Sequence, residues 1–301
     1  MKNVKIQVCN PYFSLFTFHF SFKSQKYKTM NKKTILYCAL AFVLASCGGK
    51  KTSGEEAAVE DSAPHSELNL SPELVSHLDS IAGIISSTAS NVDFKALVEN
   101  GKFSLTDQQK KVKPDYLLSK GDIDDLATLQ EKYVASAYLA VDMTVAGLYG
   151  LDDDDFYSNT MQRLAAETDE ANQKAADEAK NAELSFANAQ QFYLDMKKRN
   201  RLDKFYAAEA AYAVEVLYIL SRNPDLYMPV MTDVAAMDLC KQVKMAYDGL
   251  EALSGEYPDL KKLVDALKPI ADIKASGSEE LRHHLKKKNE EFAKARAALL
   301  K

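Results

Sequence analysis

Three acidic residues stand inside runs that are otherwise apolar: Asp142 in YLAVDMTVAGLY, and Glu209 and Glu215 in FYAAEAAYAVEVLYIL. A carboxylate removed from water is costly unless it is paired or hydrogen-bonded. Two arrangements would justify these acids. One is a structural ion-pair network or a helix edge facing water, with the basic run KKRNR at 197–201 as a source of cations. The other is a polar ligand pocket in the core. There Asp142, Glu209 and Glu215 would converge with hydroxyls from Tyr133, Tyr138, Tyr212 and Tyr218, with Asp142, Glu209, Glu215, Tyr138 and Tyr212 as the candidate pocket.

Other residues with chemical potential fit structural roles. Asp152, Asp153, Asp154 and Asp155 lack the alternating oxygens and glycine turn of a calcium loop, and acids suit a helix start. His283 and His284 diverge by about 100° on a helix, so one metal cannot take both. Pairing either with Glu279 or Glu280 gives two ligands and no third nearby. Cys240 falls on an apolar helix face, the place of an inert thiol. No Gly-rich phosphate loop, HExxH or GxSxG is present. The expectation is no catalytic residue, no metal and no cofactor.

The remaining chemistry is at Cys47. Lys32 and Lys33 precede an eleven-residue apolar run at 35–45, and LASCGG follows. This is the layout of a secretory signal, too short for a membrane-spanning helix of about 20 residues. Leu44-Ala45-Ser46-Cys47 resembles a bacterial lipobox. That resemblance implies cleavage between Ser46 and Cys47 and acylation of Cys47. Several acyl chains give a stable anchor where one gives marginal binding. Residues 1–29, aromatic-rich and without an acid, read as an upstream extension ahead of a signal starting at Met30.

The expected organisation is an extension at 1–29, a lipoprotein signal at 30–46, a lipidated cysteine with a polar tether at 47–70, and a helical domain at 71–301. All 43 acidic residues and 31 of the 38 basic ones follow Cys47, a formal charge of −12. That balance disfavours nucleic acid as a partner. Only Cys240 is left for disulfide chemistry, so stability must come from burial.

The elements are helical. Ser71-Pro72-Glu73 is a helix start, with Leu74, Leu78, Ile81 and Ile85 following at helical spacing. A short helix at 92–98 should end in a left-handed stop at Asn100-Gly101. KPDYLLSKG should be a loop burying Tyr116 and Leu117. A long helix is predicted over 122–149, stopped by Gly150 and placed at the centre of the bundle. Its small residues Ser136, Ala140, Thr144 and Gly147 would admit a close neighbour. Further helices are expected through about 166, over 169–199, over Leu202–Arg222, over 230–253 with Met237, Cys240, Val243, Tyr247 and Leu250 buried, from Pro258, and from Ser278. No strand alternation or fixed repeat is present. The fold class is all-α, an irregular antiparallel bundle of about seven to eight helices.

FSLTDQQKKVKPDYLLSKG followed by KYVASAYLAVDMTV resembles the helical lipoproteins of Bacteroidota, and AAYAVEVLYIL is similar to a later helix of that group. The match covers residues 74–220. It implies a helical fold and an envelope location, and brings no catalytic residue. Gly48 after the cysteine, by analogy with lipoprotein sorting in other bacteria, points to the outer membrane, with its periplasmic face as the expected side. The functional expectation is a non-enzymatic interaction or structural module with an envelope protein as partner. The alternatives are a lipoprotein binding a small polar molecule or metal and, third, an envelope hydrolase.

Overall fold

The computed structural model describes residues 70–151, 156–168 and 188–301, all within the compact unit Ser53–Lys301. The signal, Cys47, most of the tether, the four consecutive aspartates and most of the 169–199 helix lie outside the described residues.

The described residues are helical, with no strand among them. Helix α1, Pro72–Thr88, starts where Ser71 Oγ accepts the Leu74 amide at 3.1 Å. Leu78, Ile81 and Ile85 form its buried stripe, while Leu74 is half-buried. Helix α2, Phe94–Asn100, is capped by Asp93 and followed by Gly101. The left-handed residue there is Lys102, at φ 50°, and not Gly101, whose φ is −71°.

The helix expected over 122–149 is two helices. Ser119 and Asp122 form a capping box on α3, Lys120–Ile123. Thr128 and Glu131 form another on α4, Leu129–Tyr149. Each box satisfies amides that a continuous helix would have used internally, so the chain breaks between them. Gly150 ends α4 at φ 67°, as expected. Of the small residues on α4, Ser136 is buried and Ala140 and Thr144 are half-buried, so the stripe is covered at its start and open at its end. Gly147 is exposed, with open space where a side chain would begin.

Helix α5 is Phe156–Thr168 and α6 is Ala189–Lys198. Asn200, at φ 55°, turns the chain into α7, Leu202–Arg222. The axis of the bundle is α7 and not α4: from Leu202 through Ser221 only Lys204 escapes full burial. Around it pack α4, α6 and α9, Asp233–Leu253, together with the C-terminal helix. Short α8, Pro224–Tyr227, is capped by Asn223. On α9 the expected stripe is buried except Met237, which is 48 % exposed because it lies on the outer face. Helices α10, Lys261–Ala271, α11, Ser278–Lys287, and α12, Asn289–Leu300, complete the fold. Single-turn helices and a break at Lys288, features that hydrophobic periodicity does not register, raise the count from the expected seven to eight to twelve among the described residues.

One close approach holds α7 to α9. Gly249 lies against the ring of Tyr206, whose hydroxyl donates to the Leu78 carbonyl at 2.7 Å. A side chain at 249 would overlap that ring. No described helix is long and apolar enough to cross a membrane.

Candidate functional site

Two of the three acids meet. Asp142 on α4 and Glu215 on α7 are fully buried and face the same point between their helices. Arg296 arrives there from α12. Its Nε donates to Glu215 Oε2 at 2.5 Å, and its Nη2 lies 4.0 Å from Asp142 Oδ2. The guanidinium carbon sits 5.1 Å from the ring centre of Tyr138 and 4.7 Å from that of Tyr218, within cation–π range. The Tyr138 hydroxyl donates to the Arg296 carbonyl at 2.8 Å, so the same tyrosine holds both ends of the arginine.

The loop before α4 closes the cluster. The Leu118 amide donates to Asp142 Oδ2 at 2.7 Å. Tyr116 bonds Tyr227 through their hydroxyls at 2.7 Å, and Tyr227 donates to the Tyr149 hydroxyl at 3.3 Å. Arg222 lies over both Tyr116 and Tyr218. Tyr116 and Leu117 are half-buried, and Leu118 is the residue the loop buries fully.

Burial, then the neighbouring Glu215, pushes the Asp142 carboxyl well above its ordinary range; Arg296 and the Leu118 amide oppose this. Burial also raises Glu215, opposed by the charge and hydrogen bond of Arg296. The two acids are coupled: burial and the charge of Glu215 favour the protonated form of Asp142, while Arg296 favours the charged form of Glu215. Desolvation disfavours the charged guanidinium, but Glu215 and Asp142 outweigh it and raise the Arg296 pKa. Asp142 Oδ1, Glu215 Oε1 and Arg296 Nη2 are buried without a hydrogen-bond partner among the described residues.

Glu209 and Tyr212, expected beside these residues, are elsewhere. Glu209 is 1 % exposed and neither of its oxygens has a hydrogen-bond partner. Burial alone pushes its carboxyl up to about 8, so it is neutral at neutral pH. Six residues separate Glu209 from Glu215, which turns them to faces about 120° apart. Tyr212 accepts from the Phe94 amide at 2.9 Å and donates to the Val92 carbonyl, fixing the start of α2. The Tyr133 hydroxyl donates to the Thr168 carbonyl.

The basic run at 197–201 does not serve the buried acids. Lys197 pairs with Asp79 at 2.6 Å, and Arg201 donates to the Thr168 carbonyl. The run forms the turn between α6 and α7, where amides of Arg199 and Arg201 both reach the Met196 carbonyl. Arg296 was the missed residue. Its signal was its place between Phe292 and Leu299, one helical turn from each, on a stripe that is otherwise apolar.

The other candidates are ordinary. Cys240 is buried and burial pushes its thiol up to about 11. His283 and His284 have ring centres 6.2 Å apart, and His284 Nε2 lies 3.1 Å from the Lys274 carbonyl. Among the described residues no group of three or more His, Cys, Asp or Glu is set to hold a metal ion. Two surface depressions are lined by other residues. One, of about 440 Å³, lies between α1 and α9; a smaller one involves Asp225, Ser278 and Arg282.

No family model, curated protein or solved structure matches the chain. The functional reading therefore comes from these residues alone.

Proposed function

We propose that the protein is a lipid-anchored, α-helical module of the cell envelope that works through its surface, as an interaction or structural element, and not as an enzyme. The observation that carries it is the junction LASCGG, after two lysines and an eleven-residue apolar run and before a polar tether. Signal, small residues and cysteine occur in the order that acylation requires. The outer membrane is the proposed location, following Gly48, and its periplasmic side, because Lys50 and Lys51 precede the first acids, Glu55 and Glu56.

The interior supports the non-enzymatic part. Arg296 bonds Glu215 and lies 4.0 Å from Asp142, and the Leu118 amide and Tyr138 hydroxyl around them are committed to internal bonds. A general acid or nucleophile must reach a substrate, and these groups reach only each other. The alternative, a small polar ligand held in the core, draws on the buried atoms without protein partners.

The test is the intact mass of the protein extracted from its native membrane. A chain beginning at Cys47 and carrying acyl groups is expected. An unacylated chain that retains residues before Cys47 would overturn the anchor. A non-covalent mass surviving native conditions would favour the ligand-binding alternative.

A further inference from the structure

Helix α9 carries an outward stripe that the described residues leave partly exposed. Val234, Met237, Lys241, Met245, Asp248 and Ala252 fall within an arc of about 80° on the helix. Val234 is 57 % exposed and Met237 48 %, two of the few large apolar side chains so placed. Beside the stripe runs the depression of about 440 Å³, lined by Ile81, Ile84, Met245 and Ala252 together with the acids Asp248 and Glu251. The face therefore has apolar knobs at one end of α9 and a partly apolar, acid-edged hole at the other.

The stripe is complementary to itself when reversed. Two α9 helices packed antiparallel about a two-fold axis beside Met245, between it and Lys244, place level residues at numbers that sum to 489. Met245 then lies within one residue of level with Met245 of the second copy. Met237 lies level with Ala252 of the second copy, so the exposed knob meets the small floor of the groove. Lys241 lies level with Asp248. Lys241 is exposed and has no ion pair among the described residues, and Asp248 is already bonded by Lys244 of its own helix, which leaves its second oxygen for the incoming lysine. A parallel register would set Lys241 against Lys241 and Asp248 against Asp248.

We infer that this face of α1 and α9 docks a second copy of the chain, in an antiparallel, two-fold arrangement centred beside Met245. The occupant is chosen by charge and size together: one surface supplies both halves of each contact, as a two-fold interface requires. The face is about 30 Å long and two helices, or about 20 Å, wide. Two copies would bury about 1,200 Å², the lower edge of specific interfaces. Methionines at the centre suit such a contact because they adapt to small misfits. The inference deepens the interaction-module reading by naming a partner, and it does not depend on acylation of Cys47.

The test uses the purified full chain with Cys9, Cys38, Cys47 and Cys240 all replaced by serine and with Met245→Cys, treated with a short bis-maleimide. A cross-linked dimer is expected, and none from Gln191→Cys, exposed on α6, in the same background. Adding Lys241→Asp should cut the dimer about tenfold, and the exchange Lys241→Asp with Asp248→Lys should restore most of it. Circular dichroism of each variant establishes that it is folded. Folded protein that stays monomeric at Met245→Cys would overturn the inference. So would a dimer that ignores the charge reversal, or one that the exchange fails to restore. The mass of the membrane-extracted chain reads the anchor separately, so either claim can fail alone.

Discussion

The guanidinium of Arg296 is sandwiched between the rings of Tyr138 and Tyr218 while its Nε bonds Glu215. This one side chain ties α12 to α4 and α7, and through Asp142 to the loop at Leu118. Removing it leaves a buried charge without its partner. Arg296→Ala should cost about 3–5 kcal/mol of stability. Replacing Asp142, Glu215 and Arg296 together with leucine, leucine and methionine should cost far less, since no charge is stranded. Chemical denaturation of the two variants checks the contrast; equal losses would mean that packing, and not charge, dominates the cluster.

Glu209 makes stability depend on pH with a definite sign. Its folded carboxyl is raised to about 8, from an ordinary value of 4.5. Between these values the unfolded chain releases a proton that the folded one keeps. The folded state therefore loses stability as pH rises through this window, and the loss levels off above about 8. Glu209→Gln removes that dependence. Relative to wild type, the variant should gain stability from pH 5 to pH 8, of order 3 kcal/mol at about 1.4 kcal/mol per unit. Urea denaturation at both pH values checks it; a gain that is the same at each would show Glu209 to be ionised throughout.

Gly249 is the point where α7 and α9 touch most closely. A methyl carbon there would lie 2.3 Å from Tyr206 Cδ1, and Tyr206 is fully buried and held by its bond to Leu78. The ring has no room to retreat. Gly249→Ala should lower stability by about 1–3 kcal/mol, despite the better helix propensity of alanine. Gly147→Ala, in open space on α4, should be neutral or stabilising. Thermal melts of the pair give the comparison, and the opposite order would contradict the packing described.

Much of the fold was legible in local chemistry. The bounds of Leu202–Arg222 follow from its apolar run and the Asn223-Pro224 break, and Ser71-Pro72 marks α1. The capping boxes at Ser119 and Thr128 were present too, but the hydrophobic stripe running through 122–149 masks them. The site was half legible. Asp142, Glu215 and Tyr138 stand out as polar groups in apolar helices, and they do converge. Glu209 stands out for the same reason and belongs elsewhere, because which face of α7 meets which neighbour depends on tertiary packing. Arg296 lies 81 residues from Glu215, in a helix so charged that one more arginine attracts no notice. Small residues misled in the same way: Gly147 looked like a contact and faces open space, while Gly249 makes one.

The non-enzymatic reading turns on whether the buried acids serve each other. Carbon-detected NMR of the side-chain carboxyls at neutral pH reads this directly, with Asp142→Asn and Glu215→Gln for assignment. The expected result is a protonated Asp142, an ionised Glu215 facing Arg296, and a neutral Glu209. Finding Asp142 and Glu215 both ionised would contradict it. The cluster would then carry an uncompensated charge, and a bound cation or polar ligand would be needed to balance it.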